Sequence, residues 1–404
     1  MIDLYELKEI SKQKFDEYVA AESCGAFLQT SSWGIVKKEN WVHFFVGLSD
    51  KKTGELAGAA LVLVCENFRG FKAGYIPRGP VLREWNEESV AAFSYGMKSI
   101  MESHGCAFYR IDPMLVYHSR CVGNHSEEIL NPWKKPETEF ERIAALLEKY
   151  GLQHMGFEKK LSSYIQPRIN VLVPLAKEDG SFFDLPGLRR TFSKRTKEYL
   201  GSFHANRGLT FERAEPTEEN IHIVSTLIRM TADRKGIALR DEAYFRNMCH
   251  AMGDKVSLYI ARCHLPAYLN FLLDKKRKSK EDAERLDARI AEALAVQRER
   301  GNDLVLSAML HGFPPNKNGL RIAEYLYSGT DVSVFSHFHV AAGLMYYTMG
   351  DCIARNCQFI NLGGIEDEET DPLYQFKACF NSIVLEYGGE WHGVVADSHK
   401  RMPL

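Results

Sequence analysis

The stretch VSLYIARCHLPAYLNFLLDKKRKSKEDAERLDARIAEALAVQRERGNDLVLSAMLHGF, Val256–Phe313, decides the fold. Its two ends, VSLYIARC and DLVLSAMLHGF, are the apolar, β-branched runs of strands. Between them no Gly or Pro occurs from Tyr268 to Arg300, and Ala, Leu, Lys, Glu and Arg dominate, as in helices. The first half of the chain holds the same unit in short form. There WVHFFVGLS and LAGAALVLV, residues 41–49 and 56–64, flank the turn DKKTGE. One strand–turn–strand unit thus occurs twice, and its second turn has grown into an arm spanning residues 266–301. Two copies of one α/β module are expected.

Within the arm, Leu286, Ile290, Ala293, Gln297 and Arg300 alternate spacings of four and three, but only the first three are apolar. That seam is too short for a parallel coiled coil. A short antiparallel helix pair turning near Ser279–Asp282 is expected instead. Lys275, Lys276, Arg277, Lys278 and Lys280 cluster in its first half. They suit either a nucleic-acid or partner-binding projection or a solvated charged face.

At 404 residues the chain is expected to hold two or three domains. A formal net charge of −2 gives no global field toward nucleic acid, so such binding needs a local patch. No run of about 20 apolar residues spans a membrane, and the N-terminus lacks the apolar core of a signal peptide. Nine scattered cysteines without a CxxC pair, Cys352 and Cys357 being nearest on an expected helix, indicate a cytoplasmic, disulfide-free chain. Helices are expected in EISKQKFDEYVAA, EESVAAFSYGMKSIMESHG, ETEFERIAALLEKYG, TEENIHIVSTLIRMTADRKG and RDEAYFRNMCHAMG, and a strand in AFYRIDP. Residues from Val116 to Pro136 read as an irregular loop.

No P-loop, HExxH or GxSxG pattern appears. His337 and His339 lack a third metal ligand at recognisable spacing. Gly363 and Gly364 follow the apolar run CQFIN, where glycine lets the backbone turn or approach a ligand closely. In AGYIPRGPVL, Pro77 and Pro80 stiffen the chain beside Tyr75, and Arg78 is the single charge. Arg78 either meets an anionic ligand or pairs with Asp112 or Glu84. In DPLYQFKACF, Lys377 sits between Phe376 and Phe380.

The stretches FLQTSSWGIVKKENW, AGYIPRGPVL, FYRIDP, INLGGIEDEETDPLYQFKACF and EYGGEW together resemble the Fem-type (FemABX) aminoacyltransferases of peptidoglycan cross-bridge synthesis. The resemblance runs from near residue 27 to near 391. It implies an α/β (α+β) fold of two tandem GNAT-like acyltransferase domains, with a short helical coiled-coil arm in the second. Domain 1 would span 1–165, completed by 381–404, and domain 2 would span 166–380. It also implies transfer of an amino acid from aminoacyl-tRNA to a stem-peptide amine of a precursor, lipid II or the soluble UDP-MurNAc-pentapeptide. The family's precursor-binding lysine falls on Lys37, in Trp33-x-x-x-Lys37. Its arginine–tyrosine pair falls on Arg240 and Tyr244, and a further tyrosine on Tyr327 or Tyr325. The lysine of its F-K motif falls on Lys377 and a carboxylate once favoured as base on Asp112. No cofactor or metal is implied. A lipid-linked acceptor would bring the protein to the inner membrane face as a peripheral visitor.

Ester aminolysis develops negative charge on the carbonyl oxygen, and a fixed cation such as Lys377 stabilises it, a donor of this kind being worth ~10²–10³ in rate. Asp112 is a weak base at neutral pH unless buried. It is expected to hold Arg78 or the platform, with the ribose oxygen or a substrate phosphate taking the proton. Arg189, Arg190, Lys194, Arg195 and Lys197 form a basic stripe that either binds tRNA phosphates or is a solvated helix face. An acyl-CoA enzyme would need an [RQ]xxGx[GA] turn, which no glycine completes. A scaffold acting through the arm would need neither Lys377 nor the YIPRGP platform.

Overall fold

The structure is a computed structural model, which describes residues 4–22, 26–68, 70–133, 138–201, 208–238, 240–278, 283–366 and 368–395. The expected turn of the arm at Ser279–Asp282, with Lys280, lies outside them. Strand Ile169–Pro174 is buried at every position, as a central strand covered on both faces must be. It pairs antiparallel with Phe359–Gly364 on one side and Ile383–Tyr387 on the other. The chain divides into two units, Met1–Ser181, Phe313–Glu324 and Asn356–Leu404 forming the first, Phe182–Gly312 and Tyr325–Arg355 the second. This differs from the boundaries expected at 165/166 and 380/381. The ladder around Ile169–Pro174 draws residues 166–181 and 356–380 into the first unit, and no local sequence signal announces such pairing.

In the first unit one sheet runs in the order Tyr5–Glu9, Val42–Asp50, Leu56–Phe68, Phe71–Ile76, Phe108–Ile111, Trp391–Val394, Leu152–His154. Phe71–Ile76 and Phe108–Ile111 lie parallel, joined through helix Glu87–Ser103. Val90, Phe93, Met97 and Met101 on that helix recur at three- and four-residue steps and are buried in the core. The C-terminal strand enters between partners far away in sequence, Trp391 opposite Ile111 and His154. Further pairing joins Val116–Cys121 to Ile383–Tyr387, and the start of Ile322–Thr330 lies parallel to Phe359–Gly364. The segment read as irregular therefore holds this strand and a 3-10 helix, Glu127–Trp133. Its strand is a polar edge without clean alternation, so only the partner strand defines it.

The second unit contains the elongated hairpin. Val256–His264 and Asp303–Gly312 pair antiparallel from Val256 opposite Gly312 to His264 opposite Asp303. Helices Leu265–Lys278 and Ala283–Arg300 replace its turn. Leu269, Leu272, Leu286, Ala293 and Val296 are buried, and Lys276 pairs with Asp287 across the arm. Both copies of the strand–turn–strand unit are thus present. Cys352 is buried in helix Val340–Ala354, but Cys357 lies beyond its end; neither forms a disulfide.

Candidate active site

The site of the first unit rests on two stiff segments. After strand Phe71–Ile76, Arg78 adopts a φ of 52°, uncommon for a residue with a Cβ. One carboxylate holds it there. Arg78 N–H donates to Asp112 Oδ1 at 2.5 Å, and the Tyr75 hydroxyl donates to Asp112 Oδ2 at 2.9 Å. Gln29 braces the same turn, donating to the Pro77 carbonyl at 2.6 Å and accepting from Leu61 N–H at 2.8 Å. The Arg78 guanidinium turns to the Pro167 carbonyl, 2.7 Å away, and lies over the Tyr387 ring at 4.7 Å. Asp112 therefore holds the Arg78 backbone, and the side-chain charge is directed elsewhere.

The second segment is built on Gly363 and Gly364. Gly363 has a φ of 82°, and a Cβ on Gly364 would stand 2.2 Å from the Pro167 Cβ. Both positions require glycine. Asn361 Oδ1 accepts from Gly363 N–H at 2.8 Å, and Asn361 Nδ2 donates to Asn170 Oδ1 at 3.2 Å. Asn170 in turn donates to the Pro167 carbonyl at 2.8 Å, so that oxygen joins the asparagines to Arg78. Helix Pro372–Ala378, capped by Asp371, carries Lys377. Lys377 is 4% exposed, and its ammonium donates to the Gly364 carbonyl at 2.6 Å. Phe376 and Phe380 meet edge to face beside it, ring centres 5.5 Å apart.

Two carboxyls here depart from ordinary behaviour. Burial pushes Asp112 up to about 7, against the Arg78 charge, the Arg78 N–H and the Tyr75 hydroxyl, which all pull it down. Glu324 stands opposite Asn361 in the parallel register and is pushed up to about 8 by burial, opposed by Arg78 and by its hydrogen bond with Asn361. Glu324, Asn361 and Asn170 are not among the residues expected from the sequence. The one local signal for them is an acidic residue directly after the apolar Ile322–Ala323.

The remaining predicted residues fall into separate groups. Lys37 ends helix Ser31–Lys37, its Nζ 4.5 Å from the Trp33 ring centre, as i,i+4 neighbours must be. In the second unit the Arg240 guanidinium lies 5.2 Å from the Tyr244 ring, and the Tyr327 hydroxyl donates to that of Tyr244 at 3.4 Å. Tyr325 bonds Ser328 instead, so Tyr327 belongs to this group. Arg189 donates to the Lys197 carbonyl, Lys197 to the Arg190 carbonyl and Arg195 to the Tyr199 hydroxyl, all neutral acceptors. On the arm, Lys276 and Lys278 pair with Asp287 and Asp274. Among the described residues no group of three or more His, Cys, Asp or Glu could hold a metal, and His337 bonds Tyr268.

The architecture first defines a class. Over 98% of this chain and 99% of the other it matches a tandem GNAT protein from the clavulanic acid biosynthesis pathway, TM-score 0.51 at 9% identity. Over 96% and 97% it matches the crystal structure of FemX, TM-score 0.72 at 22% identity. The fold is that of tandem GNAT-like domains, and the protein is an acyltransferase. The FemAB family matches residues 10–288 and 272–399, and the chain belongs to that family. It is 23% identical over 421 aligned positions to the aminoacyltransferase FemA of Staphylococcus aureus (strain bovine RF122 / ET3-1), covering 95% of this chain and 93% of that one. The same figures hold for FemA of strain N315. Among the described residues no helix is long and apolar enough to cross a membrane.

Proposed function

We propose that the protein transfers an amino acid from aminoacyl-tRNA to the side-chain amine of a peptidoglycan stem peptide, forming a cross-bridge amide. The observation that carries this reading is the Lys377 ammonium, buried and anchored at 2.6 Å on the two-glycine turn. A donor carbonyl presented to it would gain a fixed cation where negative charge develops, and the surrounding protein would cost nothing to reorganise. Phe376 and Phe380 help exclude water from that charge.

Lys37 with Trp33, and separately Arg240 with Tyr244 and Tyr327, are the proposed precursor contacts, lysine as a point charge and arginine as a fork suited to phosphate. Tyr75, Arg78 and the Gly363–Gly364 turn would shape the pocket for the reacting groups. For tRNA, the stripe Arg189, Arg190, Lys194, Arg195 and Lys197 is the stronger candidate. Three of its cations donate to neutral acceptors in the described bonds, whereas arm residues Lys276 and Lys278 pair with aspartates beside Lys275 and Arg277. The acceptor would be lipid II, met peripherally at the inner membrane face, or UDP-MurNAc-pentapeptide.

An acyl-CoA donor is disfavoured by the helix following Phe71–Ile76. Its Ser89 N–H is taken by the Asn86 side chain in a capping box, and Glu87 and Glu88 fill its first turn. A pyrophosphate would meet an occupied donor and like charge there. The deciding experiment mixes purified protein with bulk charged tRNA and both precursors, with an RNase-treated control, and reads precursor mass. A gain of one amino-acid residue that RNase abolishes supports the reading; no gain on any stem peptide removes it.

A further inference from the structure

Of the two carboxyls raised by burial in this site, Asp112 has both oxygens committed and is 2% exposed. Neither oxygen is placed to take a proton from a substrate without breaking the platform. Glu324 differs. The residue as a whole is half-buried, and its carboxyl is hydrogen-bonded to the Asn361 side chain. It lies across the parallel ladder from Asn361, the same side chain that fixes Gly363 next to the Lys377 anchor. A cation for the oxyanion and a carboxyl for the nucleophile thus sit on the two ends of one hydrogen-bonded element.

We infer that Glu324 is the proton acceptor of the transfer step, taking a proton from the acceptor's ammonium so that the free amine can attack the ester carbonyl. This rests on the aminoacyl-transfer reading above. In balance, the acceptor enters as an ammonium and gives one proton to the Glu324 carboxylate. The free amine then attacks, the new C–N bond forms, and the carbonyl oxygen takes negative charge beside Lys377. Collapse breaks the C–O bond, and a second proton leaves the nitrogen for the departing ribose oxygen. Amide, free ribose hydroxyl and protonated Glu324 result, and solvent resets the carboxyl. The charged and polar groups facing Glu324 are Arg78 from the platform and Asn361 from the neighbouring strand; both favour its ionised form, while burial opposes it. The result is an acceptor poised near neutral pH, where a general base works best.

The test measures single-turnover transfer from charged tRNA between about pH 6.5 and 9 for the wild type, Glu324→Gln and Glu324→Asp. Expected is a wild-type rate that rises with a break near pH 8, a loss of roughly 10²-fold or more in Glu324→Gln with that break gone, and a partly active Glu324→Asp with its break displaced. A Glu324→Gln profile that matches wild type overturns the assignment while leaving the transfer reading intact. A wild type that transfers nothing overturns both. Should Glu324→Gln fail to fold, Glu324→Asp decides: a displaced break supports the assignment and an unmoved one overturns it.

Discussion

The Lys377 ammonium rests on the Gly364 carbonyl at 2.6 Å, and a Cβ on the neighbouring Gly363 would come within 3.7 Å of the same nitrogen. This contact holds the lysine through a backbone carbonyl, a neutral acceptor that leaves the positive charge intact along it. Lys377→Met is expected to keep the fold, since methionine fills the buried stem, and to lower kcat by ~10²–10³ with little change in KM. Steady-state kinetics with charged tRNA check it, and an unchanged kcat would remove Lys377 from the chemistry.

Gly363→Ala tests the same geometry from the backbone side. At a φ of 82° an alanine is strained by about 1–2 kcal/mol, and its methyl would sit in van der Waals contact with the ammonium, where relief of the strain would shift it. Thermal melts should show a lower Tm, and activity per folded molecule should fall as well. Wild-type activity per folded molecule would mean that the turn supports the fold alone.

Asp112→Asn separates a structural role from a chemical one. The carboxylate accepts from Arg78 N–H and Tyr75 hydroxyl on different oxygens; an amide in its place keeps one acceptor oxygen and must turn its NH2 toward the other donor. A buried, mismatched donor costs about 1–3 kcal/mol. The expected outcome is reduced stability with kcat within about tenfold of wild type. A large kcat loss at unaltered Tm would make Asp112 a participant in proton transfer.

What the sequence disclosed and what it hid follow from the range of the interactions. The hairpin and its arm were legible because strand runs and uninterrupted helix formers are local properties. Lys377 was legible because a lone charge between Phe376 and Phe380 is a local anomaly, and the glycine pair because only glycine suits such a turn. Asn170, Asn361 and Glu324 were not, because each takes its meaning from pairing between strands, Asn170 meeting Asn361 across 191 residues of chain and Glu324 meeting Asn361 across a parallel crossover. The first unit's extent was hidden for the same reason, as was the strand Val116–Cys121, whose partner lies near the C-terminus.

Stability against pH gives a reading of Glu324 that needs no substrate. Its carboxyl lies near 4.5 when unfolded and about 8 when folded. The folded state thus holds the proton more tightly, so stability from the protonated form is present below about pH 4.5 and lost as pH rises through 8. Glu324→Gln removes that loss. Its Tm relative to wild type should climb between pH 5 and 8 and level off above, Asp112 cancelling because both proteins carry it. A difference that stays flat across this window would show that Glu324 titrates normally.

The tRNA surface is tested by salt. If the stripe meets phosphates, log affinity for charged tRNA falls linearly with log salt, and each phosphate contact removed lowers the slope by about 0.7–0.9. Arg190→Glu with Lys194→Glu should weaken binding and flatten the slope by one to two such steps. Lys276→Gln with Lys278→Gln on the arm should change it little, because Asp287 and Asp274 already offset those charges. Filter binding at a series of salt concentrations separates the two surfaces. Equal slopes in wild type and the stripe variant, with a flattened slope in the arm variant, would move the RNA contact to the helical arm.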